Sequence, residues 1–167
     1  MKKTILAILM MFVVTACSMG GEYKEPIVKK IGEEFTCEEF EEYSVTVNSY
    51  KFKTGYIDSY QKVADGEEWV GIIVTVKNNG EDEMQFSENN FNLINSNGEI
   101  INPDAFTYDV WGVERLNNVK LSADGTKTGY IAFSNSNTDN SNLKLEFVCD
   151  RNGFISTDDT RYEIPLN

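Results

Sequence analysis

The chain has no histidine among its 167 residues. That removes the commonest zinc and copper ligand, and the side chain that most often acts as a general base near neutral pH. Positive charge is also scarce: 15 lysines and arginines stand against 27 aspartates and glutamates, a formal net charge of −12. This balance argues against a nucleic-acid partner and against electrostatic adhesion to anionic lipid. It suits a surface that keeps the protein soluble, and it would attract cations or basic partners. No apolar run reaches the roughly 20 residues of a membrane-spanning helix. No sustained 3.6-residue periodicity and no internal repeat is found, so a helical bundle is not expected. Only three cysteines are present, and each has to be accounted for separately.

What stands at the beginning is a secretion signal. Met1-Lys2-Lys3 is basic, Ile5 to Val14 is apolar, and a polar stretch follows from Ser18 to Glu25. A basic start and an apolar segment of this length define a signal peptide. The junction Val14-Thr15-Ala16-Cys17 resembles the lipobox of bacterial lipoproteins, with a branched apolar residue three before the cysteine and a small one directly before it. The resemblance implies lipidation of the Cys17 thiol by diacylglycerol, cleavage after Ala16, and acylation of the new amino terminus. The expected organisation is a signal peptide over 1–16, a lipidated N-terminus and flexible tether over 17–32, and one folded domain over 33–167. The expected location is extracytoplasmic, anchored to the cell membrane, with membrane lipid as the partner of Cys17.

With Cys17 committed to lipid, Cys37 and Cys149 form an even pair outside the cytoplasm, a candidate disulfide. The alternative is two buried, unpaired thiols. A bridge would close a long loop, worth about 4–5 kcal/mol on chain-entropy grounds.

Beyond the tether, Glu33 to Tyr43 is dense in glutamate, and Thr36 with Glu39 fits a capping box for a short helix over 37–42. From Tyr43 the pattern is β. Val45 and Val47 share one parity, Tyr50 and Phe52 the other, which predicts a bulge inside one strand. Glu68 to Asn78 is apolar on both faces in its middle, as expected for a central, doubly covered strand. Short strands are predicted at Met84–Phe86, Phe91–Asn95 and Glu99–Ile101, then at Thr126–Ser134, Leu143–Cys149 and Tyr162–Leu166. Turn residues separate them: Asp65-Gly66, Ser96-Asn97-Gly98, Asp124-Gly125 and Asn152-Gly153. Many short strands with such punctuation indicate an all-β sandwich.

The run Glu68-Trp69-Val70-Gly71-Ile72-Ile73-Val74-Thr75-Val76-Lys77-Asn78-Asn79-Gly80 resembles the core strand of a family of small immunoglobulin-like bacterial lipoproteins. That family is common in Gram-positive bacteria, is described mainly as domains of unknown function, and shares its fold with a secreted mycobacterial immunoprotective antigen. Phe91-Asn92-Leu93 and the stretch from Leu121 to Phe133, with Gly125 and Gly129, are similar to later landmarks of it. The resemblance implies an immunoglobulin-like β-sandwich and carries no catalytic residues. The Cys-Trp-Cys spacing of antibody domains is not matched, since Trp69 lies far in sequence from Cys37 and Cys149.

Three short patterns invite chemistry. Ser59 with Lys62, Ser141 with Lys144, and the K-T-G runs at Lys53 and Lys127 mimic penicillin-binding enzymes. The chain lacks the S-D-N element, the length and the helix which that machinery needs. Asn135, Asn137, Asp139 and Glu146 fall at EF-hand spacings, but Asn140 stands where that loop requires glycine, and strands flank it. Phe106, Tyr108 and Trp111 lie in an aromatic connection, where exposed rings could grip a sugar or a protein. Against this, a domain of this size needs its large rings inside.

The sequence therefore points to a non-catalytic binding or spacer module, with no cofactor or metal. Its candidate ligand-binding residues are Phe106, Tyr108 and Trp111, for a protein or carbohydrate partner at the envelope. The alternative is an accessory or solute-receptor subunit of an envelope transport or sensing complex.

Overall fold

A computed structural model describes residues 24–37, 43–56, 62–104, 111–136, 140–149 and 159–166. The expected signal peptide, Cys17, the helix over 37–42 beyond its first residue, Phe106, Tyr108 and the Asn152-Gly153 turn lie outside those residues.

The run Glu68–Asn78 forms one strand, β4, along its full predicted length. Successive side chains of a strand point to opposite faces. Val70, Ile72, Val74 and Val76 enter the main core, while Trp69 and Ile73 enter a smaller cluster on the other face. β4 pairs antiparallel with β3, Tyr43–Thr54, and with β9, Thr126–Asn135. The predicted bulge is there: the register of β3 on β4 shifts between Val47 and Ser49. Before it Val45 and Val47 point into the core; after it Tyr50 and Phe52 take over that face.

A short β2, Glu34–Thr36, completes this sheet in the order β2-β3-β4-β9. The facing sheet has five strands: β1 (Ile27–Val28), β11 (Arg161–Pro165), β10 (Lys144–Val148), β6 (Phe91–Ile94) and β7 (Ile100–Ile101), in that order. A two-stranded pair, β5 (Met84–Phe86) with β8 (Val119–Leu121), lies at the side. β1 falls inside the segment expected to be tether. It pairs in parallel with β11, Ile27 on Tyr162 and Val28 on Glu163, and the Lys29 N–H donates to the Glu163 carbonyl at 2.9 Å. The folded unit thus takes in residues ahead of the expected boundary at 33.

The two sheets close on an aromatic core. Phe147 meets Phe91 at 4.7 Å and Phe35 at 5.4 Å between ring centroids, and Phe35 stacks on Tyr162 at 4.4 Å. Each buried ring of this kind contributes about 1.5–3 kcal/mol by removing apolar surface from water. Cys37 and Cys149 are bridged, with Cα atoms 5.7 Å apart across 112 positions of sequence. Cys37 follows β2 and Cys149 follows β10, so the bridge does join the two sheets. Trp69 belongs to the cluster on the far face of β4 and does not pack on it.

Candidate functional site

The sandwich has two unlike ends, and β4 runs from one to the other. At the Asn78 end every device closes the structure. Tyr43 pairs with Asn78, and the Tyr43 hydroxyl lies 3.3 Å from Cys37 Sγ of the bridge. The Tyr162 hydroxyl donates to the Thr36 carbonyl across the sheets at 2.7 Å. Asn78 itself is fully buried and fully used. Its Nδ2 donates to the carbonyls of Asp82 (2.8 Å), Ser122 (2.9 Å) and Leu121 (3.2 Å), and its Oδ1 accepts from the Gly80 N–H (2.9 Å). A buried amide with this complement of partners is a structural clamp.

The opposite end is built from Thr54, Glu68 and Asn135, which lie side by side on β3, β4 and β9. Glu68 and Asn135 share the parity of Val70 and are buried between the sheets, while Thr54 is exposed. β9 ends here, and the next strand in sequence, β10, belongs to the facing sheet. Glu68 is only 6% exposed, yet its Oε1 has no hydrogen-bond partner, and the same holds for the buried Oδ1 of Asn140 between β9 and β10. Phe52, by contrast, is 39% exposed at this end and touches Tyr50 edge-on at 5.5 Å.

On the outer face of the same half lies the second apolar cluster: Val63, Trp69, Ile73, Tyr130 and Ala132, with Trp111 and Val113 against it. Trp111 is half-buried. Its ring fills the space left by Gly71, where a Cβ would come within 2.7 Å of it, and it meets Tyr130 edge-on at 5.2 Å. Its backbone is left-handed, φ 62°, followed by Gly112 at 81°, a geometry that a bulky residue adopts only under constraint. The following residues run along the free edge of β9, the Leu116 N–H donating to the Tyr130 carbonyl and the Tyr130 N–H to that of Glu114. That covers an edge that would otherwise be open to pairing. The aromatic connection singled out from sequence therefore contributes Trp111 mainly as packing, with one side of the ring left at the surface.

Beside Trp69 a shallow cleft of about 220 Å³ is lined by Thr54, Gly55, Val63, Ala64 and Glu67, with Lys62 and Asp65 at its rim. The Trp69 indole N–H holds it by donating to the Gly55 carbonyl at 3.1 Å. Lys62 and Asp65 form an exposed ion pair at 2.8 Å, which raises the lysine pKa and lowers that of the aspartate. Asp104 is half-buried close by. Loss of solvent raises its pKa, against the backbone N–H of Ser134 and the charge of Arg115, which lower it, while the charge of Glu67 adds to the rise.

Three lysines of the enzyme-like patterns are held in ion pairs. Lys62 is tied to Asp65, Lys127 to Glu114, and Lys144 to Glu163 at 3.0 Å. Of the EF-hand spacing, Asn137 and Asp139 lie outside the described residues. Glu146 points out of the sandwich, accepting from Asn92 Nδ2 at 3.0 Å and pairing with Arg161 at 3.5 Å. Among the described residues no group of three or more histidine, cysteine, aspartate or glutamate side chains is arranged to hold a metal. Sequence reasoning missed Glu68 and Asn140. The signal that could have found Glu68 is its parity: it continues Val70, Ile72 and Val74 toward the core.

A sandwich of this shape, sealed by an inter-sheet bridge, can now be set beside known proteins. The family called domain of unknown function DUF4352 matches residues 30–160. This chain belongs to the DUF4352 family. Solved structures share its fold. A candidate lipoprotein from Bacillus subtilis has a TM-score of 0.57 at 16% identity over 79% of this chain, which spans only 38% of that protein's length. An uncharacterised β-sandwich protein from Clostridium difficile has a TM-score of 0.55 at 14% identity, covering 89% of this chain and all of its own (100%). The secreted protein MPT63 of Mycobacterium tuberculosis has a TM-score of 0.57 at 19% identity, covering 84% of this chain and 98% of its own. At these identities the likeness establishes the β-sandwich and nothing of activity. No curated protein matches the DUF4352 chain.

Proposed function

We propose that this DUF4352 protein is a lipid-anchored, non-catalytic module outside the cytoplasm that presents one end of its sandwich to a partner. The observation that carries the reading is the Cys37–Cys149 bridge. Structural disulfides persist in oxidising compartments, and this one leaves Cys17, in its lipobox-like setting, as the single cysteine free for lipid. The likeness to a candidate lipoprotein and to a secreted protein is in keeping with that location.

The topology gives the module a direction. β1 runs parallel to β11, Ile27 beside Tyr162, and Arg161 at the start of β11 pairs with Val148 next to the bridge. The chain from Cys17 therefore reaches the domain at the sealed end. An anchor there turns the Glu68 end, with the Thr54–Glu67 cleft and the exposed side of Trp111, away from the membrane.

The test is fractionation of a bacterial host expressing the full chain, with mass determination of its mature N-terminus. Wild-type protein is expected in the membrane fraction with an acylated Cys17, and Cys17→Ser is expected to accumulate as unprocessed or soluble material. A Cys17→Ser protein processed and retained in membranes like wild type would refute the anchor.

A further inference from the structure

We infer that the open edge of β3, residues 49–54, takes up an extended acidic segment of a partner protein, which joins the sheet as an added strand. The inference rests on the reading of this end as the one presented to a partner, and it names that partner's chemistry. It does not require the anchor, which the fractionation of Cys17→Ser tests separately.

An unpaired strand edge is a row of N–H and C=O groups ready to pair with another chain. On one side β3 pairs with β4 along its whole length. On the other side β2 reaches only residues 44–46. The turn over residues 30–33 ends the cover there, the Gly32 N–H donating to the Val47 carbonyl at 2.8 Å. Among the described residues no strand pairs with that side from Ser49 onward. The other edges are short or covered. β1 and β7 have two residues each, β2 has three, and β9 is lined by residues 114–116.

The side chains along the edge decide what fits. A strand sends alternate side chains to opposite faces. On the core side stand Tyr50 and Phe52, with Phe52 39% exposed. On the outer side stand Lys51 and Lys53, opposite Gly71 and Trp69 of β4. β3 carries no carboxylate, in a chain of 27 aspartates and glutamates. An added strand that alternates acidic with apolar residues sets its acids beside the lysines and its apolar side chains beside Phe52. Both kinds of cross-strand pair stabilise a sheet, and like charges placed opposite destabilise it. The same rule disfavours a second copy, because two β3 edges paired antiparallel bring lysine against lysine. Edge lysines commonly keep strands apart. Here they exclude copies of this chain and leave an acidic strand admissible, whereas blunting alone leaves the exposed ring of Phe52 unexplained.

The test uses the purified full-length protein in detergent and a blocked peptide of about eight residues alternating glutamate with valine. The peptide is expected to bind with a Kd below about 1 mM at low salt. At saturation it should slow deuterium exchange of amides within residues 49–54 at least about tenfold. The same peptide with lysine for glutamate is expected to bind at least about tenfold more weakly. A version N-methylated at alternate residues keeps the charge and loses backbone donors, and is expected to give no protection. Lys51→Glu is expected to reverse the preference between the acidic and basic peptides. Phe52→Ser is expected to weaken the acidic peptide without reversing that preference. No binding, equal binding of the N-methylated peptide, an unchanged preference in Lys51→Glu, or self-association through residues 49–54 would overturn the acidic-strand partner. Protection centred on the Asn78 end would overturn it and the choice of presented end together.

Discussion

The two ends of β4 carry one buried polar side chain each, and they are used in opposite ways. Asn78 has four hydrogen-bond partners, three carbonyls and one N–H, and sits beside an inter-sheet disulfide. Glu68 is about as buried and has an oxygen with none. The same strand thus ends once in a completed clamp and once in an unmet demand. Completed polar networks specify a fold, whereas an unsatisfied buried oxygen costs stability until a proton, a water or an ion meets it. β1 pairs with β11 toward the completed end, so the described chain enters the folded unit there.

The comparison can be broken from the sealed side first. Replacing both Cys37 and Cys149 by serine should cost about 4–5 kcal/mol, the value for a loop of this length. Denaturant unfolding with and without reductant would show it, and reductant should have no effect on the variant. Asn78→Ala leaves three carbonyls and an N–H short of partners, and should cost about 2–4 kcal/mol. A loss of under 0.5 kcal/mol or so would mean that water replaces the clamp, and the end would not be sealed in the sense argued here.

Much of this end was legible in advance. β4 has its predicted limits because an apolar run on both faces can only be a covered strand, and the parity change from Val47 to Tyr50 announced the bulge. β2 and β8 were not legible. Glu34-Phe35-Thr36 and Val119-Lys120-Leu121 are too short for periodicity to register, and their pairing is decided by distant strands. β1 was read as tether for the same reason. The open end was harder still. Nothing local to Gly71 says that a tryptophan forty positions later fills its missing side chain, and nothing local to Glu68 says that its carboxylate goes unpaired.

On the open side the effects should be smaller. Gly71→Ala puts a Cβ 2.7 Å from the Trp111 ring. It should cost about 1–3 kcal/mol and release Trp111 toward solvent, visible as a red shift in fluorescence. An unshifted spectrum with unchanged stability would show that the ring is not seated there. Glu68→Gln should change stability by less than about 1 kcal/mol in either direction, because its buried Oε1 has no hydrogen bond to lose. A loss comparable to that of Asn78→Ala would erase the contrast between the ends.

The smallest effect concerns pH. Asp104 has a folded pKa raised above its ordinary value of 3.8, mainly by burial. The folded state then holds its proton more tightly than the unfolded state, so ionising this group costs stability as pH rises through the raised pKa. Asp104→Asn should therefore be slightly more stable than wild type near pH 7, by up to about 1 kcal/mol after allowance for its half exposure. The gain should fade on acidification and vanish below the unfolded value. A constant difference across that range would place its origin elsewhere.

The most direct test of the contrast is denaturant unfolding of the Asn78→Ala and Glu68→Gln variants of the full-length protein, measured side by side. The expected loss is about 2–4 kcal/mol for Asn78→Ala and under about 1 kcal/mol for Glu68→Gln. Equal losses at the two ends, or a larger loss for Glu68→Gln, would contradict the contrast.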